Sequence, residues 1–305
     1  MLDAILSPEF FSSILRLTTP ILFATLAATI AAKSGIINMA LEGIMLFCAL
    51  FGVIFSSLTG SAWLGLLLTL IAGGLIGYIL AFFVLKLKTD EIIAAIAINL
   101  IAAGGTVLLM LAFSGDRGNS ASIISFQTPR INIVGLGKIP FLGEVLSNHN
   151  ILTYFSLISV VILHFLIYKT PLGLKIRAVG ENKDAAESVG ISSQKVQFIA
   201  LIISGVLAAA GGFFLSGGYM TKFTTNMTAG RGYIALAASS MGGNTPIGGL
   251  LVSIIFGTAQ ALANAMQLST LPSELVQMLP YLVTIVGLGF YSYRLKKKHE
   301  RLSGK

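Results

Sequence analysis

Charge is what this chain has least of. Asp, Glu, Lys and Arg make up 10% of its 305 residues, against 55% hydrophobic residues and a mean hydropathy of +0.89. A soluble domain carries roughly a quarter charged residues and needs a wettable exterior. The shortage therefore excludes a soluble module and makes lipid the solvent for most of the surface. Cysteine is nearly absent too. The single Cys48 lies in an apolar run and excludes both a disulfide framework and a cysteine-ligated zinc site. The three histidines, His149, His164 and His299, have no metal-ligand spacing. The sequence also contains no GxxxxGK[ST] phosphate loop, no Gly-x-Ser-x-Gly, no His-Glu-x-x-His and no carboxylate pair inside an apolar run. The chain is thus expected to be no enzyme and to bind no cofactor and no metal itself.

What is present is a series of long apolar runs. In lipid the backbone must satisfy its own hydrogen bonds, and runs such as Leu64 to Leu85 do not alternate as barrel strands do, so they read as helices. About 20 mostly apolar residues cross the hydrocarbon. The candidate spans are Ile14–Ala32, Met39–Leu58, Ala62–Leu85, Ile92–Phe113, Ile151–Tyr168, Gln197–Leu215, Ile247–Ala265 and Leu275–Tyr293. A ninth piece, Gly232–Met241, is half the needed length, either a short tilted crossing or half of a broken helix. Gly73, Gly74 and Gly77 form a small-residue face for close helix packing. The expected fold is all-α: one polytopic transmembrane bundle over residues 1–305 with about nine spans (eight to ten) and no second soluble domain. Residues 1–11 lack the basic region and cleavage site of a signal peptide.

The net charge of +8 belongs to orientation in a bilayer rather than to nucleic acid. Lys33, Lys86, Lys88, Lys169, Lys175, Arg177, Lys183, Lys195 and the six basic residues of 294–305 make fourteen of the twenty. Counting Gly232–Met241 as a crossing puts all fourteen on one side. The N-terminus and the loop 114–150 are then outside; the loop 169–195 and the basic tail 294–305 are inside. Loop 114–150, with Pro129 and Pro140, reads as an irregular external cap. In loop 169–195, Asn182 reads as an N-cap, Asp184 and Glu187 suit a first turn, and Gly190 reads as a stop, which predicts a two-turn cytoplasmic helix over Lys183–Val189. Ala185, Ala186, Val189 and Ile191 give it an apolar stripe with no span to bury it, and such a stripe calls for a protein partner. On this reading Ala186→Glu and Gly190→Val should leave membrane insertion intact.

Few polar residues fall inside the spans. Glu42, with Asn38 one turn before it, either lines a substrate path or orients its helix from the cytoplasmic end. Asn99, Gln260 and Asn264 read first as interhelical glue and second as ligand contacts. Candidate path residues are Asn38, Glu42, Asn99 and Asn264. Arg231 reads as an anchor; Pro246 and Pro280 read as helix starts or kinks.

Three stretches carry a family resemblance. Asp184-Ala-Ala-Glu-Ser-Val-Gly190 resembles the Glu-Ala-Ala-x-x-x-Gly loop of bacterial ABC importer permeases, and its surroundings, Arg177-Ala-Val-Gly-Glu-Asn182 and Ile191, resemble the ribose-type branch. Ser34-Gly-Ile-Ile-Asn-Met-Ala-Leu-Glu-Gly43 is similar to the corresponding stretch of nucleoside and simple-sugar permeases, and is most similar to those working with nucleoside-binding lipoproteins. Gly230-Arg-Gly-Tyr-Ile-Ala-Leu-Ala-Ala238, followed by Asn244-Thr-Pro-Ile-Gly248, resembles a later block of the same proteins. The resemblance implies a bacterial inner-membrane permease subunit for a nucleoside. It implies separate cytoplasmic ATPase subunits, a second permease subunit and an external substrate-binding lipoprotein. It makes Gly180, Glu181, Asn182, Asp184, Ala185, Ala186, Gly190 and Ile191 the coupling segment that docks on the ATPase. A sugar or branched-chain amino-acid permease of the same class is the nearest alternative, and a secondary transporter or channel a more distant one.

Overall fold

The computed structural model describes residues 7–132 and 142–266, with positions 282, 285, 287 and 289 beyond them. Helix α1 runs over Pro8–Lys33, with Ser7 as its N-cap and Pro8 at its first position. There follow α2 (Leu41–Thr59), α3 (Ala62–Ala81, prolonged by a π turn over Phe82–Lys86) and α4 (Glu91–Ser114). Strand β1 (Arg130–Ile131), α5 (Leu142–Leu146) and β2 (His149–Asn150) lead into α6 (Ile151–Lys169). Then come α7 (Pro171–Glu181), α8 (Lys183–Ser188), α9 (Ser193–Phe213, with a π turn over Phe214–Tyr219), α10 (Arg231–Met241) and α11 (Pro246–Met266).

Seven of these, α1, α2, α3, α4, α6, α9 and α11, are long and apolar enough to cross a membrane. The candidate span Leu275–Tyr293 and the tail 294–305 lie outside the described residues, apart from the four positions named above. The loop 169–195 holds two helices where the sequence predicted one. Thr170 starts the unforeseen α7, its Oγ accepting from Gly173 N at 3.1 Å, and Pro171 occupies the first helical position.

Helix α1 is the axis of the bundle, with every residue from Leu17 to Ala31 buried. Helices α9, α10, α11 and α6 pack round it, and α3, α4 and α6 each keep one apolar side exposed. Leu67, Ile71 and Leu75 on α3 and Ile93, Leu100 and Leu108 on α4 are more than half exposed, the signature of a lipid-facing surface. The glycine face of α3 does what its spacing predicts. A Cβ at Gly77 would stand 2.5 Å from the Leu201 carbonyl of α9, and one at Gly73 would stand 2.7 Å from the Gly205 carbonyl. The two backbones meet there without side chains between them. Hydroxyls tie the inner helices: Thr29 to Ser239 at 2.9 Å, and Ser253 to Thr25 at 3.0 Å.

Residues 114–132 and 142–150 cap one end of the bundle, and α7 and α8 cap the other. At the first end, β1 and β2 pair antiparallel, Arg130 opposite Asn150. Ser120 exchanges hydrogen bonds with Phe223, through its N–H to the Phe223 carbonyl at 3.0 Å and its Oγ from Phe223 N at 2.8 Å. That clasp pulls the coil after α9 into the bundle, where Phe223 is fully buried among Leu46, Leu50, Val53 and Met110.

Candidate functional site

Among the described residues, two places bring together most of the polar residues that the sequence singles out. The first lies inside the bundle, where coil interrupts the helices at two points. The coil between α1 and α2 does not stay at the surface. Ser204 Oγ accepts from Asn38 Nδ2 at 2.9 Å and donates to the Ala27 carbonyl at 2.7 Å, which sets Asn38 level with Ala27. Ala27 is six residues before the end of α1, so α2 starts about 9 Å inside the bundle at 1.5 Å per residue. Glu42, in the first turn of α2, therefore lies inside the bundle rather than at its surface.

The second break precedes α10. Residues 220–230 enter as coil from the capped end. Asn226, Ala229 and Gly230 take left-handed conformations that turn the chain sharply into α10. Helix α10 then runs beside the second half of α1, Ile234 packing with Ile21 and Ser239 bonding Thr29. Its 11 residues span about 16 Å, half a hydrocarbon core. Of the two readings the sequence left open, the structure gives the broken helix. A half-helix starting at this depth presents unsatisfied amides and the positive end of its dipole to a low-dielectric interior. Glu42 answers both. Its Oε1 accepts from Gly230 N at 2.8 Å and its Oε2 from Gly232 N at 2.7 Å.

Asn99 of α4 completes the junction. Its Oδ1 accepts from Gly43 N at 2.8 Å, and its Nδ2 donates to the Met39 carbonyl at 3.0 Å and to Tyr233 Oη at 3.1 Å. The glycines of the two motifs allow the approach: a Cβ at Gly232 would stand 2.5 Å from Glu42 N, and one at Gly43 2.7 Å from Asn99 Oδ1. Asn38, Glu42 and Asn99 thus converge on one junction. Asn264 does not: it is exposed near the far end of α11, beyond Ala261, which packs on Phe10 and Ile14 at the start of α1. Tyr233, roughly half exposed beside Asn99, was not among the candidates. Nothing in the sequence separates it from any other aromatic in an apolar run.

The second place is the α7–α8 end. Asn182 closes α7, its N–H donating to the Ala178 carbonyl, and caps α8, its Oδ1 accepting from Ala185 N at 3.0 Å. Gly190 has a φ of +83°, the left-handed exit its position predicts. The apolar stripe is divided. Ala186 is buried against Ile176, Val179, Val196 and Ala200, with Ile191 packed beside it, so these two hold the loop to its own chain. Gly180, Glu181, Asp184, Ala185, Val189 and Gly190 are exposed, Val189 to 75%. Glu187 bonds Ser193 at the start of α9. Gly180 packs backbone to backbone on the α1–α2 turn, where a Cβ would strike the Lys33 carbonyl and stand 3.1 Å from Gly35 N.

A bundle of seven long apolar helices with a short helix and coil enclosed among them is built as a multi-pass membrane protein. Residues 10–288 match the family described as "Branched-chain amino acid transport system / permease component", and the chain belongs to that family. It is 33% identical over 280 residues to the guanosine ABC transporter permease protein NupQ of Bacillus subtilis, covering 88% of this chain and 87% of that one. It is 32% identical over 292 residues to the nucleoside ABC transporter permease protein NupC of Lactococcus lactis, covering 92% and 91%. A putative glucose ABC transporter permease protein, TsgC13 of Haloferax volcanii, is 32% identical over 246 residues, covering 80% and 73%. No solved structure matches.

Proposed function

We propose that this chain is the membrane-spanning subunit of an ATP-driven importer for nucleosides. The observation that carries the reading is similarity over about nine-tenths of both chains to two permeases named for guanosine and nucleosides. ATP is hydrolysed in separate cytoplasmic subunits, since the sequence has no phosphate loop. A second permease subunit completes the pore, and an external lipoprotein delivers the substrate. Seven long spans, the broken span ending in α10, and Leu275–Tyr293 make nine crossings. That count places the N-terminus outside and puts Lys33, α7, α8 and the tail 294–305 in the cytoplasm. The exposed face of α8, with Gly180, Glu181, Asn182, Asp184, Ala185 and Gly190 in and around it, docks on the ATPase, while Ala186 and Ile191 hold the docking element in place. The junction of Asn38, Glu42 and Asn99 stands beside the translocation path.

Uptake of labelled uridine, adenosine, glucose and leucine by cells with and without this subunit tests the substrate. Loss of nucleoside uptake alone is expected. Loss of glucose uptake with nucleosides unaffected would favour the sugar reading, which the Haloferax relative's name supports.

A further inference from the structure

Among the described residues, the surface of the broken span differs from the exposed faces of α3, α4 and α6. Where α3, α4 and α6 present Leu, Ile, Val and Phe outward, this segment presents Lys222 and Thr225 at the capped end, Thr225 bonded to the Arg117 and Gly118 carbonyls, and Asn226, Ala229, Tyr233 and Ser240 beyond them. Coil backbone at membrane depth is tolerated only where it is buried in protein or lines a water-filled cavity, and a coil exposing Asn226 and Ala229 beside Tyr233 is not a lipid face. This side therefore lines the water-filled path. Tyr233 is its one aromatic residue, and its hydroxyl is already held by Asn99 Nδ2 at 3.1 Å. Both hydrogens of that amide are used, on Met39 and on Tyr233, so Asn99 positions the phenol and has no donor left for a solute.

The charge at the junction is closed as well. Both oxygens of Glu42 are spent on the half-helix amides. Arg231 turns back into the coil, its Nη1 donating to the Met227 and Thr228 carbonyls at 2.9 and 3.1 Å. In transporters with a free half-helix N-terminus, that end attracts the anionic group of the substrate. Here the protein's own carboxylate occupies it, which removes the attraction for a carboxylate or phosphate.

We propose that Tyr233 is a substrate-contacting residue of the path, its ring the stacking platform for an uncharged planar heterocycle, with Asn99 and Glu42 as its positioning residues. The proposal rests on the nucleoside reading and deepens it. A flat π-face recognises any base without discriminating its edge, while the neutralised helix end gives an amino-acid carboxylate nothing to bind.

The test uses the assembled transporter in a Cys48→Ser background. Tyr233→Cys is exposed to a charged, water-soluble methanethiosulfonate, with Leu100→Cys on the lipid-facing side of α4 as control. Modification at position 233 but not 100, slowed severalfold by saturating uridine or adenosine with binding protein, is expected. No modification at 233, or modification that saturating nucleoside does not slow, would overturn the proposal. Tyr233→Leu should lower nucleoside uptake about tenfold, the scale of one lost base–aromatic stack, whereas Tyr233→Phe keeps most of it. Equal loss in both variants would assign the effect to the hydroxyl tether and sink the stacking role. Absence of nucleoside uptake by the wild type would instead sink the substrate reading, and reagent access at position 233 would still report the path.

Discussion

Glu42 shows how much a single side chain decides in a medium without water. Its two oxygens hold two amides at the start of α10. Glutamine offers only one oxygen, and its NH2 group faces an N–H that needs an acceptor. Glu42→Gln therefore orphans one buried amide, at a cost of about 1–3 kcal/mol, and leaves the helix dipole without a countercharge. Transport by this variant should fall severalfold while its membrane abundance stays near wild type. Normal uptake would show that the junction does not shape the path. The sequence marked Glu42, Asn38 and Asn99 because polar residues are rare in apolar runs. It left open whether Glu42 was deep or terminal, because depth depends on where the coil of 34–40 lies. Tyr233 was invisible for a similar reason: only the outward polarity of its broken span distinguishes it from a core aromatic.

At the scale of elements, helix α8 was legible because caps are local. Asn182 and Gly190 carry their conformations in their own residue types, and the helix appears within one residue of the predicted bounds. Its neighbour α7 went unread because Gly173 and Gly180 lie in it, and both are there for close backbone packing, against α6 and the α1–α2 turn. The burial of Ala186 was also beyond the sequence, since the partners that cover it come from α7 and α9. That burial changes the expected phenotypes. Ala186→Glu places a carboxylate in an apolar cluster and should lower abundance as well as uptake, visible on an immunoblot of membranes. Ala185→Glu and Val189→Glu fall on the exposed side and should abolish uptake and co-purification of the ATPase at unchanged abundance. Gly190→Val meets no neighbouring atom, but a β-branched residue at that φ is strained, and it should behave like the exposed pair. Wild-type uptake in all three of these variants, at matched abundance, would refute the docking role of α8.

Across the whole molecule, the number of apolar runs made a helical membrane bundle legible, and seven described helices are long and apolar enough to cross. The proposed orientation counts 220–241 as a further crossing, which brings all fourteen basic residues to one side; in the structure this segment is coil followed by an 11-residue helix. Single cysteines replacing Asn119, Lys183 and Lys297 in a Cys48→Ser background test the orientation by labelling intact cells with an impermeant maleimide. Only the Asn119→Cys variant should react. Reaction of Lys183→Cys or Lys297→Cys in its place would invert the topology.

The meeting of Gly180 with Gly35 has a mechanical meaning. A joint made of two backbones has no rotamer to turn and no ion pair to stretch, and packed protein hardly compresses. Whatever displaces α7 must displace the loop that carries Asn38, and with it the start of α2 at Glu42, by a like amount. In the importer proposed here, that makes the two glycines a clutch plate between the nucleotide stroke and the solute gate. Side chains inserted there would let the engine run with the gears disengaged: ATP would be hydrolysed and nothing would be carried.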